Sequence, residues 1–287
     1  MAQTRTLQRR IRSVKNAKQI TKALEVVAAS RMRRVVQLVE GSRTYGELAA
    51  AIMAKVAANP EAKNLPYFSP ASGKPTLYIV FTSDRGQAGA FNANIFHLAI
   101  NSFKQESQAS QVIVFGRKGT RYFSRFKGIE LKGAYEDIAD VPDINVFAST
   151  MESVTDSLAG GEVGKVVLIF TQFISSLTQK ATAMQLFPVD LSQFQPDETS
   201  NIVSEFEPDI TDVIDEGIKL YLQARLMQAK IESAASEHAM RMVAMGNANR
   251  NASDLIDNLT LELNATRQAA ITQEIAEITG GVAAIAA

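Results

Sequence analysis

MRMVAMGNANRNASDLIDNLTLEL, residues Met240–Leu263, decides the fold. Met242, Met245, Ala252, Ile256, Leu259 and Leu263 fall three and four apart, and Asn249 takes one place in that seam. Alternating spacings of three and four mark a helix paired with another helix, and a polar seam residue sets register at some cost in stability. The pattern extends outward in both directions. From Pro208 to Ala287 no second proline occurs, and Asp209, Asp212, Asp215 and Glu216 put negative charge at the positive end of a helix opened by Pro208. At ~1.5 Å rise per residue this helix would reach ~120 Å. That is wider than one globular domain of a 287-residue chain, so a projecting rod is expected.

A partner helix lies at the other end of the chain. Leu7, Ile11 and Val14, then Ile20, Leu24 and Val27, then Ala28, Met32, Val35 and Val39 repeat the same spacing. Gly41 and Gly46 are expected to bend or loosen this helix, since glycine costs ~1 kcal/mol relative to alanine in a helix interior. The pattern stops near Asn59 and Pro60. The formal net charge is zero, but residues 1–40 carry ten Lys or Arg against Glu25 and Glu40, and residues 201–287 carry thirteen Asp or Glu against six Lys or Arg. Opposite signs on two long helices favour their pairing, although single exposed pairs contribute only ~0–1 kcal/mol. Because the two helices are the two ends of one chain, they are expected to run antiparallel.

Between them the periodicity changes. Residues 59–75, with four prolines, read as a linker. TLYIVFTS (Thr76–Ser83), QVIVFG (Gln111–Gly116), KVVLIFTQF (Lys165–Phe173) and Ala181–Val189 read as four strands. Helices are expected at Phe91–Gln105, near Lys118–Phe126 and from about Asp143 to Leu158, with a polar loop at Ser192–Ser200. Alternating strands and helices imply an α/β sheet with partly parallel order. The expected organisation is therefore an N-terminal coiled-coil helix (1–58), a linker (59–75), a central Rossmann-like α/β domain (76–200) and a C-terminal coiled-coil helix (208–287).

Much chemistry is excluded. With no cysteine there is no disulfide, thiolate metal site or Cys nucleophile. No run of ~18 apolar residues suits a membrane span, and the basic N-terminus lacks the apolar core of a secretion signal. A cytosolic location, with membrane contact only through partners, is expected. Gly86-Gln87-Ala88-Gly89 is not a G-x-G-x-x-G turn, and no phosphate-loop lysine motif occurs, so the turn reads as a tight connection. His97 and His238 stand without a nearby second ligand and read as structural or solvent-facing. Asn251 and Asn264 begin chance glycosylation triplets within a helix. Residues 1–40 contain no aromatic side chain for base stacking, which argues against nucleic acid as the partner of the basic helix.

Four stretches resemble the γ subunit of F-type ATP synthases. KQITKALEVVAAS (Lys18–Ser30) is similar to that family's N-terminal helix. Ser83-Asp84-Arg85-Gly86, with Gly89, Phe91 and Asn92, is similar to its turn after the first strand. SEHAMRMVAM (Ser236–Met245), with Ala248, Asn251 and Ala252, and RQAAITQEI (Arg267–Ile275) are similar to its C-terminal helix. Together they span the chain. Ala88 stands where the family often has cysteine, and Val282 follows Gly281 where alanine is usual. The regulatory segment of the photosynthetic form is absent, which matches the short bacterial form.

The resemblance implies a non-catalytic rotor shaft without cofactors. It would turn inside a ring of three α and three β subunits, hold the ε subunit, rest on the c-ring and so couple proton flow to ATP synthesis at the cytoplasmic face of the cell membrane. It also implies partner-binding roles for Arg9, Lys15, Lys18, Lys22, Arg31, Arg33, Arg34 and Arg85, for Arg267 and Gln268 as a catch on a β subunit, and for Ile285 in an apolar tip. The residues alone leave two alternatives: an α/β enzyme with helical arms, or a scaffold with coiled-coil arms.

Overall fold

The structure is a computed structural model describing residues 2–57, 65–69, 73–106, 110–189 and 210–286, with residues 2, 210–212, 281 and 283–286 described by backbone alone. Pro208, Asn59, Pro60 and the loop at 192–200 lie outside these residues. In chain order the elements are α1 (Ala2–Ala57), β1 (Thr76–Phe81), α2 (Phe91–Gln105), β2 (Ser110–Phe115), α3 (Arg117–Phe123), β3 (Ile129–Tyr135), α4 (Ala148–Ala159, entered by a 3-10 turn at Ile144–Phe147), β4 (Lys165–Phe173), β5 (Gln179–Phe187) and α5 (Ile210–Ala286).

The sheet has the order β3-β2-β1-β4-β5. β1 pairs in parallel with β2 and with β4, β2 pairs in parallel with β3, and β5 is antiparallel to β4. The order 3-2-1-4 is that of a doubly wound sheet, with its switch point between β1 and β4. Strands of such a sheet are covered on both faces and read as continuous apolar runs; β1 and β2 are buried at every residue. Alternate side chains nonetheless go to different layers. Leu77, Ile79, Phe81, Ile113, Leu168 and Phe170 pack with Met53 and Val56 of α1, Val154 and Leu158 of α4, and Ile218 and Leu222 of α5. Tyr78, Val80, Val112, Val114 and Ile169 pack with Phe91, Ile95 and Ala99 of α2 and Phe123 of α3. Each such side chain contributes about 1.5–3 kcal/mol on full burial.

Four of these strands were legible from apolar runs. The structure adds β3, an edge strand whose residues alternate between half-buried and exposed. Only Ile129, Leu131 and Tyr135 carry large side chains on its inward face, too few to stand out beside the surrounding charged residues.

By internal contacts the chain divides into two compact units, Ala29–Arg241 and Met1–Ala28 with Met242–Ala287. In the first, α1 and α5 pack antiparallel: Met53 lies over Gly217, Gly46 over Gln228, and Arg43 meets Glu232. α1 continues unbroken through Gly41 and Gly46 to Ala57, so neither glycine ends it. A Cβ on Gly46 would lie 2.4 Å from Gln228 Oε1, so Gly46 permits close helix approach.

In the second unit, the less exposed residues of α1 include Leu7, Ile11, Val14, Lys18, Thr21 and Ala28. Those of α5 include Met245, Asn249, Ala252, Ile256, Leu259 and Leu263, as the spacing predicts. Ile20 and Val27 were expected in the α1 seam but are 61% and 51% exposed. A strict 3.5-residue period counted from Leu7 passes through Lys18 and Thr21 instead. The backbone period overrides the apolarity of neighbouring residues, and a lysine stem packs on apolar surface while its charge stays in water.

Candidate functional site

The turn after β1 is held by its own side chains, by side chains of α2 and α5, and by backbone groups that follow β2 and β3. Ser83 N–H donates to Asn92 Oδ1 at 3.1 Å, and Asn92 Nδ2 donates back to Ser83 Oγ at 2.7 Å. Asp84 Oδ1 accepts the backbone N–H groups of Arg117 and Asp137 at 3.0 and 3.1 Å, fastening β1 to the ends of β2 and β3. At the end of β2, Gly116 has φ +105°, and a Cβ there would lie 2.3 Å from the Thr82 carbonyl oxygen. Only glycine fits that approach.

α5 reaches the same turn. Arg241 Nη2 donates to Gly86 O at 3.3 Å and to Glu237 Oε1 at 2.6 Å, while Nη1 lies 3.3 Å from His238 Nδ1. Arginine has only donors, so Nδ1 accepts, and His238 Nε2–H donates to Asp140 Oδ2 at 2.8 Å. Burial alone would raise the pKa of Asp140. The hydrogen bond from His238 and the charges of Lys230 and Arg31 outweigh it and hold the carboxyl below its ordinary value. Residues quoted above from distant stretches, Ser83 to Gly86, Asn92, and Glu237, His238 and Arg241, thus form one connected network. His97, by contrast, is solvent-facing and contacts Asn101.

Sequence reasoning missed a second feature. Glu232, with no exposed side-chain surface, accepts from Arg43 Nε at 3.0 Å and Nη2 at 2.6 Å, from Gln228 Nε2 at 3.0 Å and from Phe173 N–H at 3.0 Å. Arg43 also donates to Phe173 O. One ion pair therefore joins α1, α5 and the end of β4. The available signal was a lone acid within the small, apolar stretch Ile231–Ala235.

The predicted partner-binding residues fall into separate groups. Lys15, Lys18 and Lys22 border a groove of about 970 Å³ with Val26, Val27 and Ile256. Lys22 is also paired with Glu25 at 3.2 Å. Arg31, Arg34 and Arg85 border a different cavity, of about 530 Å³. Arg9, Arg33, Arg267 and Gln268 are exposed on their helices. The side chain of Ile285 is outside the described residues. Asp137, Asp140 and Lys230, which line the second cavity, were not anticipated, because two follow the missed strand β3 and the third sits on a helix read mainly for its seam.

Among the described residues no helix is long and apolar enough to cross a membrane. The arrangement pairs long terminal helices with a doubly wound body, and its charged and apolar surfaces are suited to protein partners. Comparison with known proteins agrees. A family profile described as ATP synthase matches residues 3–285. The ATP synthase gamma chain of Symbiobacterium thermophilum is 38% identical over 283 residues, covering 98% of each chain. That of Clostridium kluyveri is 36% identical over 281 residues, covering 98% of this chain and 97% of the relative. The central stalk and c-ring structure of Tetrahymena thermophila mitochondrial ATP synthase contains a chain 26% identical, with TM-score 0.62, covering 80% of this chain and 99% of that one. A chain of the Euglena gracilis mitochondrial enzyme shares the fold, with TM-score 0.69 over 99% of this chain and 95% of that one at 17% identity. The chain belongs to the ATP synthase γ-subunit family. Its place is in the central stalk of an F-type ATP synthase, as a non-catalytic subunit.

Proposed function

We propose that the chain is the rotating shaft that couples turning of a membrane c-ring to conformational change in a ring of three α and three β subunits, with ε held on the α/β body. Residues 1–58 and 208–287 serve as the shaft, 59–75 as a linker and 76–200 as the body. The observation that carries the reading is the exposed apolar side of α1 beside its basic band. Val26 and Val27, 57% and 51% exposed, border one groove with Lys15, Lys18 and Lys22, and Ile20 on the same helix is 61% exposed. A contiguous apolar surface rimmed by charge marks a protein-docking site. An asymmetric shaft presents a different face to each β subunit and biases each nucleotide site by differential contact energy. Membrane attachment is peripheral, at the cytoplasmic face, through the complex. The chain is expected to co-purify with α and β subunits, and purification as a free monomer from cells expressing the whole complex counts against the reading.

The basic band Lys15, Lys18, Lys22, Arg31, Arg33 and Arg34 serves acidic segments of the β subunits in part and the chain's own acidic C-terminal helix in part in this reading, and Arg9 is a further partner contact. Reconstitution with α and β subunits is then expected to weaken as salt rises, because screening shortens to ~10 Å at 0.1 M. A flat salt response would assign assembly to apolar contacts.

Arg267 and Gln268 are exposed, and in this reading they act as a catch on a β-subunit loop. Arginine holds a carboxylate bidentately, at ~1.5–3 kcal/mol per charged hydrogen bond. Arg267→Ala in the assembled enzyme is therefore expected to lower coupled ATPase about tenfold or more. An unchanged rate and unchanged coupling refute the catch. Ile285 belongs to a bearing tip, so deletion of residues 285–287 should weaken assembly yet leave ATP-driven proton pumping measurable in vesicles. Abolished pumping in a complex that still assembles rejects the bearing.

A further inference from the structure

Arg31, Arg34, Arg85 and Lys230 border one cavity of about 530 Å³, all within the unit Ala29–Arg241. None of the four side chains makes a hydrogen bond or ion pair with the described residues. The acids on the same wall are already engaged. Asp84 accepts two backbone N–H groups, Asp137 pairs with Arg117, Asp140 with His238 and Glu237 with Arg241. Five cations in the lining, Arg31, Arg34, Arg85, Lys230 and Arg241, exceed the four acids by one charge, so the net charge facing the cavity is positive, and the cations converge from α1, α5 and the β1 turn onto a single volume.

The location is informative in its own right. Asp84 and Arg85 follow the carboxyl end of β1, and Asp137 and Asp140 follow the carboxyl end of β3. In open α/β sheets small ligands bind outside the carboxyl ends of the strands; this cavity lies there, beside the ends of β1 and β3 and not at the β1/β4 switch point. A volume of this size lies within the range of small-ligand sites. Arginine forks match phosphate oxygens in pairs, and lysine adds a mobile point charge. Among the described residues no Phe, Tyr or Trp lines the cavity, and the ring of His238 is held between Asp140 and Arg241, so the lining favours phosphate over a nucleobase.

We propose that this cavity binds a small phosphate anion, inorganic phosphate or pyrophosphate, or a nucleotide by its phosphate chain alone. The site goes beyond the rotor reading and is a property of the free chain, so its failure leaves that reading untouched. A protein segment rich in carboxylates is the competing occupant. It is less favoured because the cations converge from three elements on one cavity and do not line a stripe.

The test is calorimetric titration of the full-length chain with phosphate, pyrophosphate and ADP, at constant ionic strength balanced with sodium chloride. Saturable binding is expected, with pyrophosphate tighter than phosphate and ADP no tighter than pyrophosphate. The Arg34→Gln/Lys230→Gln variant is expected to bind pyrophosphate about tenfold more weakly or worse, since charged hydrogen bonds are lost. Arg10→Gln/Arg12→Gln, which removes the same charge elsewhere on α1, should stay within about twofold of the parent. Far-UV circular dichroism checks the fold of each variant. Arg85→Gln, on an exposed turn residue whose side chain holds no partner, repeats the measurement if the double variant does not fold. Absence of saturable pyrophosphate binding, equal loss in both double variants, or tight ADP binding that pyrophosphate cannot displace overturns the proposal. Binding of a polyglutamate peptide that pyrophosphate does not displace gives the cavity to a protein segment and overturns it as well.

Discussion

Replacing Arg43 with alanine is expected to destabilise the chain by about 3–5 kcal/mol, because it strands the carboxylate of Glu232 in a site with no exposed surface. For a protein of this size that lowers the unfolding midpoint on the order of 10 °C. Two hydrogen bonds to Glu232 remain, from Gln228 and Phe173, so the loss is not that of a bare ion. Glu232→Gln should cost less, about 1–2 kcal/mol, since the amide keeps an acceptor for Phe173 N–H and the charge left unpaired is that of Arg43, which reaches solvent. The double variant Arg43→Ala/Glu232→Gln is then expected to be more stable than Arg43→Ala alone. That reversal is the diagnostic result, because independent sites would add. Thermal unfolding of the four proteins by calorimetry measures it, and simple additivity would show that the pair is not the clasp between α1, α5 and β4.

The second large effect is expected at Gly116. Alanine there meets two penalties: φ +105°, which side-chain-bearing residues rarely adopt, and a Cβ 2.3 Å from the carbonyl oxygen of Thr82. The obstructing atom is backbone of the residue just after the central strand β1 and cannot swing away. Strain of about 1–3 kcal/mol and overpacking of about 1–3 kcal/mol together predict a loss of roughly 2–5 kcal/mol. Gly128 provides the comparison, with φ +91° but no atom within 4 Å of the point where a Cβ would lie. Gly128→Ala should therefore cost only the conformational part, about 1 kcal/mol. Equal losses at the two positions in urea unfolding would contradict the close-approach account. Because Gly116 N–H donates to Tyr135 O at 2.7 Å and Thr82 N–H to Phe115 O at 2.7 Å, Gly116→Ala should also loosen the ends of β1, β2 and β3. The cavity lined by Asp84, Arg85 and Asp137 would lose its geometry with them.

The amino-acid sequence by itself determined the elements whose signal is repeated many times. The seam of α5 from Met245 to Leu263 is written in side chains three and four apart, and β1, β2 and β4 are written in unbroken β-branched and aromatic runs; both patterns arise because a whole face must leave water. α2 was bounded correctly at Phe91 and Gln105 for the same reason. The family relationship was legible too, since its stretches lie along the whole chain. What only the tertiary structure decided depends on contacts between residues far apart in sequence. The edge strand β3 buries one sparse face, so its period was lost among Glu130, Lys132 and Glu136. The α1 seam takes Lys18 and Thr21 in place of Ile20 and Val27, because a backbone repeat, not local apolarity, chooses which side chains face the partner helix. Arg43 finds Glu232 across 189 residues, and Asp140 finds His238 across 98. Charges on surface and core residues look alike in a sequence; only the packed chain removes water from some of them, and burial is what turns a charge into a specific contact.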